Sequence, residues 1–152
     1  MKKLVLLIVS LMFGVVYAYA QEVPKKVVER IKTDVAAQYP DNFSMQKTLL
    51  DDQLESYRFL HNYAPSEVSA DVLNRIKDQV VSRYSNNYSM QKTLILDQVE
   101  AYKFLRTYDP KGVPPDVLKK ITTRMETRYS NNFSMQKTLI ENEVESYLSL
   151  QK

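Results

Sequence analysis

The sequence predicts an all-α fold: three tandem two-helix repeats of about 45 residues, stacked as a short α-solenoid or a six-helix bundle. Three observations lead there. Segments 23–60, 68–105 and 113–150 align without gaps, their starts lie 45 residues apart both times, and SMQKTL is identical in all three. Ahead of that block, apolar residues recur every four positions, which lays one stripe along a helix. The 152 residues contain only two glycines, Gly14 and Gly112, and the prolines fall near helix starts or in linkers. A lone helical hairpin cannot bury its stripe, whereas stacked neighbours can.

The chain opens on Lys2 and Lys3, an apolar run from Leu4 to Val16, and the small-x-small site Ala18-Tyr19-Ala20. That order is the layout of a secretory signal peptide, with cleavage expected between Ala20 and Gln21. The apolar run is shorter than the ~20 residues that a membrane-crossing helix needs. Residues 1–20 are therefore expected to be removed, leaving an exported form, periplasmic or extracellular, that does not span the membrane. The repeats then occupy 21–67, 68–112 and 113–152.

In the first helix of each repeat the stripe is Val27, Ile31, Val35 and Tyr39; Val72, Ile76, Val80 and Tyr84; Val117, Ile121, Met125 and Tyr129. Tyr84, with a neighbouring repeat on either side, is expected to be more deeply packed than Tyr129. Ser69 is the expected N-cap of the second repeat, and Pro115 followed by Asp116 opens the helix in the third. Polar turns follow at Pro40-Asp41-Asn42, Ser85-Asn86-Asn87 and Ser130-Asn131-Asn132, where Asn and Asp stop a helix without glycine. Ser44, Ser89 and Ser134 are the expected N-caps of the second helices, which run to Leu60, Leu105 and Leu150. In the middle repeat the apolar face of that helix is Met90, Leu94, Ile95, Val99, Tyr102 and Leu105. Linkers His61–Glu67 and Arg106–Gly112 join the repeats, each carrying a tyrosine two residues before a proline (Tyr63 and Pro65; Tyr108 and Pro110).

Composition removes several function classes. There is no cysteine, so disulfides, Cys-ligated zinc, lipidation at the cleavage site and thiol catalysis are excluded. Without residues 1–20 the chain carries 19 basic and 18 acidic residues, well mixed, which is no footprint for nucleic acid. No glycine-rich phosphate loop occurs, and no cofactor or metal is expected.

The single histidine, His61, stands where the second repeat has Arg106, at a helix end where a cation suits the dipole. Among the acidic residues only Glu55, Glu100 and Glu145 recur in every repeat, and a solvated helix face accounts for them. Paired carboxylates could instead serve a hydrolase. The aromatic sets Tyr39/Tyr84/Tyr129, Phe43/Tyr88/Phe133 and Tyr57/Tyr102/Tyr147 read as core at helical spacing, with Tyr57, Tyr102 and Tyr147 the candidate surface aromatics. Asn42, Asn87 and Asn132 each fit the Asn-x-Ser glycosylation pattern, which turn and cap chemistry explains equally well.

One contrast within the chain points closest to function. Repeats two and three match at 11 of 12 positions from Tyr84/Tyr129 to Ile95/Ile140, then at four of the next ten. Capping and packing account for the Ser, Asn, Met, Leu and aromatic positions of this segment. They leave Gln46, Gln91 and Gln136 and Lys47, Lys92 and Lys137 unexplained, since a cation in the first helical turn opposes the macrodipole. A repeated anion site made by a helix start with Gln and Lys side chains is the candidate ligand-binding reading; a lysine bond to a neighbouring repeat is the architectural one.

The expected function is an exported, non-catalytic helical-repeat protein that binds an envelope or extracellular protein or anionic polymer. The alternatives are an envelope hydrolase using the helix-borne carboxylates and a module that assembles with itself as an oligomer. An enzyme needs one asymmetric constellation in one cleft, while a binder can use the same patch three times.

Overall fold

A computed structural model describes residues 22–152 of the chain. The expected signal peptide and its cleavage site lie outside the described residues. Six helices and no strands are found among those residues: α1 (Lys25–Gln38), α2 (Phe43–Asn62), α3 (Ala70–Arg83), α4 (Tyr88–Thr107), α5 (Pro115–Arg128) and α6 (Phe133–Ser149). The fold is all-α, consistent with a helical bundle or solenoid. No described helix is long and apolar enough to cross a membrane.

Long and short helices alternate, and they pack differently. The long helix α4 lies against both α2 and α6, while α1, α3 and α5 each pack on the helix that follows. Among the described residues no two of the short helices α1, α3 and α5 pack on one another, so they stand apart. The long helices form a row and the short ones a discontinuous outer layer.

The stripe on each short helix is what it buries. In α3, Val72, Ile76 and Val80 are sequestered with Leu73, and they meet Ile95, Val99 and Ala101 of α4. In the last pair, Ile121 and Met125 of α5 close on Ile140 and Val144 of α6. Leu105 of α4 packs against both clusters and joins them. Where α2 crosses α4 the helix presents Ser56, 1% exposed, and 45 positions on α4 presents Ala101, 4% exposed. Small side chains let the two backbones approach. The Ser56 hydroxyl has no hydrogen-bond partner there. An unsatisfied buried hydroxyl gives nothing back for its desolvation, so Ser56→Ala should be neutral or stabilise the chain by roughly 1 kcal/mol. Urea melts of that variant check it.

The helix ends differ in detail from the sequence expectation. The second helices begin at Phe43, Tyr88 and Phe133, so their N-caps are Asn42, Asn87 and Asn132, not the serines two residues on. Each Asn Oδ1 accepts from the backbone N–H of Met45, Met90 or Met135 at 3.1, 2.9 and 3.1 Å. Asparagine is at least as good a cap as serine, and here one residue serves as both turn and cap. Ser69 is the N-cap of α3 by position but makes no side-chain capping bond, and Pro115 opens α5 as expected. α2 and α4 run two residues past the expected leucines, which moves the connections to Tyr63–Ser69 and Tyr108–Pro114. In the second of these Gly112 takes φ +83°, and a Cβ there would sit 3.3 Å from Leu148 Cδ2.

Candidate functional site

The segment that the sequence singles out begins at Tyr39, Tyr84 and Tyr129. Each is a helix C-cap with φ near −130° (−131°, −129° and −130°), so the chain has already left the helix there. Tyr84 is 38% exposed, a correction to its expected place in the core. Tyr129 packs against the α5–α6 cluster, the reverse of the expected order. Tyr84→Ala should therefore cost only about 1 kcal/mol, the ordinary range for partly exposed sites, and Tyr129→Ala more. Paired urea melts give the order directly.

The tyrosine carbonyls, not the rings, are the fixed points. Gln46 Nε2 donates to Tyr39 O, Gln91 Nε2 to Tyr84 O and Gln136 Nε2 to Tyr129 O, at 2.7, 2.6 and 2.7 Å. Gln91 and Gln136 are 4% and 3% exposed. Each glutamine closes the turn that precedes its own helix, its amide joining the backbone N–H of Asn42, Asn87 or Asn132 on the same tyrosine carbonyl. Thr48, Thr93 and Thr138 donate back to the carbonyls of Ser44, Ser89 and Ser134 at 3.1, 3.1 and 3.0 Å.

Because the helices start earlier than expected, Lys47, Lys92 and Lys137 stand in the second turn. There the dipole's field has largely fallen away, so the conflict seen in the sequence dissolves. Lys47 pairs along its own helix with Asp51 at 2.6 Å, and that bond holds its ammonium above the usual lysine range. Lys92 reaches back to the preceding long helix, 3.3 Å from Glu55 and 5.1 Å from the centroid of Phe59. Lys137 repeats the second contact, 4.7 Å from the centroid of Phe104. Two of the three lysines thus lie over an aromatic face of the previous helix pair.

A further clasp was not read from the sequence. Gln53 Oε1 accepts from the backbone N–H of Tyr88 and Ser89 at 2.7 and 3.3 Å, while its Nε2 donates to Asn87 Oδ1 at 3.0 Å. Gln98, 45 positions on, does the same at the start of α6: 2.6 Å to Phe133 N, 3.3 Å to Ser134 N, 3.0 Å to Asn132 Oδ1. Each glutamine caps the next long helix with two accepted bonds and one donated. Beside it, Tyr57 meets Tyr88 edge-on at 5.0 Å and Tyr102 meets Phe133 at 5.1 Å. Tyr57 and Tyr102, proposed above as surface aromatics, are half-buried in these pairs; Tyr147 is half-buried on α6.

The remaining candidates are dispersed. His61 sits in the last turn of α2, stacked on Tyr57 at 6.0 Å between centroids. Glu55, Glu100 and Glu145 lie on α2, α4 and α6; the first pairs with Lys92 and the second with Lys103 at 3.1 Å. No group of three or more His, Cys, Asp or Glu residues placed to hold a metal occurs among the described residues. Lys77 of α3 donates to Tyr63 O at 3.0 Å, and burial holds its ammonium below the usual range.

What the recurring segment leaves uncommitted is its methionine. Met45, Met90 and Met135 are 40%, 40% and 41% exposed, whereas the sequence reading assigns them to packing. Met135 lines a groove of about 360 Å³ between α3, α4 and α6, together with Tyr84, Arg83, Leu94, Asp97 and Thr138. A second groove, of about 350 Å³, lies between α1, α2 and the turn that joins α3 to α4, and shares Arg83 and Tyr84. Both open where neighbouring short helices fail to meet.

Compared with known proteins, the chain matches no family model, no curated protein and no solved structure.

Proposed function

We propose that this chain is an exported, non-catalytic array of three tandem helical repeats that binds a partner macromolecule of the envelope or the extracellular space. The repeats are the three helix pairs, stacked as a short solenoid through α2, α4 and α6. The grooves between successive short helices are the binding surface. The repeated exposed methionine carries this reading. Asn, Gln, Thr and Lys of the recurring segment all have partners within the fold, while the methionine faces solvent in every copy. Methionine is a flexible, polarizable side chain suited to surfaces that adapt to a partner, and Met135 lies in the first groove with Val80, Tyr84 and Leu94 among polar neighbours. Arg83 and Asp97 supply both signs of charge at the better-formed groove.

The test is a triple variant, Met45, Met90 and Met135 all replaced by Gln, compared with the parent by photo-crosslinking from Thr138 in the native envelope. The reading expects unchanged melting and loss of the crosslinked partner. A parent chain that crosslinks to nothing from this position, or a variant that retains its partner, would contradict it.

A further inference from the structure

Among the described residues, the contact made between consecutive helix pairs leaves both of its halves unused at the ends of the row. At the first end, Phe43 is 75% exposed, while Phe133 at the corresponding place is 9% exposed beneath Tyr102. Among the described residues, the N–H groups of Phe43 and Ser44 have no glutamine acceptor like that of Tyr88, Ser89, Phe133 and Ser134. At the other end, α6 carries Tyr147 where α2 and α4 carry Tyr57 and Tyr102, and Ser146 where they carry Ser56 and Ala101. Ser56 and Ala101 are buried; Ser146 is exposed. Among the described residues nothing packs on this side of α6.

We propose that these two faces bind each other between copies of this chain, α6 of one copy receiving the start of α2 of the next. The inference rests on the tandem-array reading and repeats, between molecules, the contact that joins α2 to α4 and α4 to α6. Charge fits it. The clasp position holds Glu143 in place of Gln53 and Gln98. A carboxylate accepts two backbone N–H bonds as an amide oxygen does, and its negative charge suits the positive end of a helix. Glu145 stands where Glu55 meets Lys92, so Lys47 of the incoming copy finds an acid there. The small Ser146 leaves room for a helix to lie close.

The intermolecular contact is weaker than the internal ones for stated reasons. Ser149 replaces the phenylalanines that Lys92 and Lys137 cover, and Glu143 cannot donate to Asn42 as Gln98 donates to Asn132. In the free chain Glu143 also pairs with Arg124 at 2.6 Å, which association must share. Because the two faces differ, the contact is heterologous and extends the row rather than closing a two-fold dimer.

Sedimentation of the purified chain tests this with one variant for each face. Phe43→Asp puts a carboxylate opposite Glu143, and Ser146→Arg fills the receiving surface; both positions are exposed, so melting should be unchanged. Glu143→Lys is a second variant of the receiving face. The parent should form a concentration-dependent series of dimer, trimer and larger species. Each variant alone should associate at least about tenfold more weakly, the scale of losing a central aromatic or charged anchor. An equimolar mixture of Phe43→Asp and Ser146→Arg should form dimers and nothing larger, because each supplies the face that the other lacks. A parent that stays monomeric, variants that assemble like the parent, or a mixture that stays monomeric would each overturn the proposal. The internal row and the partner grooves would survive that result.

Discussion

Gln98→Ala should lower the unfolding free energy by roughly 2–3 kcal/mol, far more than a surface glutamine commands. The side chain is 8% exposed and holds the start of α6 through two accepted bonds and one donated bond. Its removal orphans the N–H of Phe133, itself buried against Tyr102. A hydrogen bond nets only about 1 kcal/mol, but a buried donor left without a partner costs about 1–3 kcal/mol. Gln53→Ala should cost less, since Gln53 and the start of α4 are more exposed. Gln98→Glu should recover much of the loss, because a carboxylate still accepts both N–H bonds at a helix start. Guanidinium melts of the three variants test the order. Equal small losses would place the glutamines outside the structural framework.

Ile95→Ala should be comparably severe, at about 2–5 kcal/mol. Ile95 is 1% exposed on α4 and packs with Ile76 and Val80 of α3 in the larger apolar cluster. That cluster also takes in Phe133 of α6, so a cavity there lies beside three helices at once. The discontinuous outer layer makes compensation hard, because neither α1 nor α5 packs on α3. Val81, on the outer face of α3 and 42% exposed, is the control, and Val81→Ala should change stability by about 0.5 kcal/mol or less. A loss below 1 kcal/mol at Ile95 would mean that the α3–α4 contact is not the principal core.

The fold class was legible because two signals of different origin agreed. Four-residue spacing marked Val72, Ile76 and Val80 as one face, and they are buried together. The polar turns stood out because Asn and Asp can do there what glycine does elsewhere. The register at the second helices was misread by two residues because Asn42 and Ser44 are both good caps, and sequence gives no means of ranking them. That slip produced an apparent conflict between Lys47 and the helix dipole, and from it the anion-site reading. With the helix starting at Phe43, the glutamine and two of the lysines find partners across a turn or on another helix. Such contacts lie seven or more residues away and leave no short-range signature. The Gln53 and Gln98 clasp could have been found: the same residue recurs 45 positions on, and changes to Glu143 where no following helix is described. Tyr84 was placed in the core because it continues the spacing; Tyr129 has the same C-cap geometry and does pack against its cluster, so spacing alone does not separate the two.

The clasp between successive helix pairs is most directly tested by amide hydrogen exchange at the first residue of each long helix. The first N–H groups of a helix ordinarily have no partner and exchange quickly. Here Tyr88 and Phe133 donate to Gln53 and Gln98 at 2.7 and 2.6 Å, while Phe43 has no such acceptor among the described residues. Measured at a concentration low enough to keep the chain monomeric, Tyr88 and Phe133 should be protected, Phe133 the more strongly, and Phe43 should exchange at nearly the free-peptide rate. Gln98→Ala should abolish protection at Phe133 and leave Tyr88 unchanged. Three amides exchanging alike, or protection at Phe133 that survives Gln98→Ala, would contradict the clasp and with it the coupling of the helix pairs into one row.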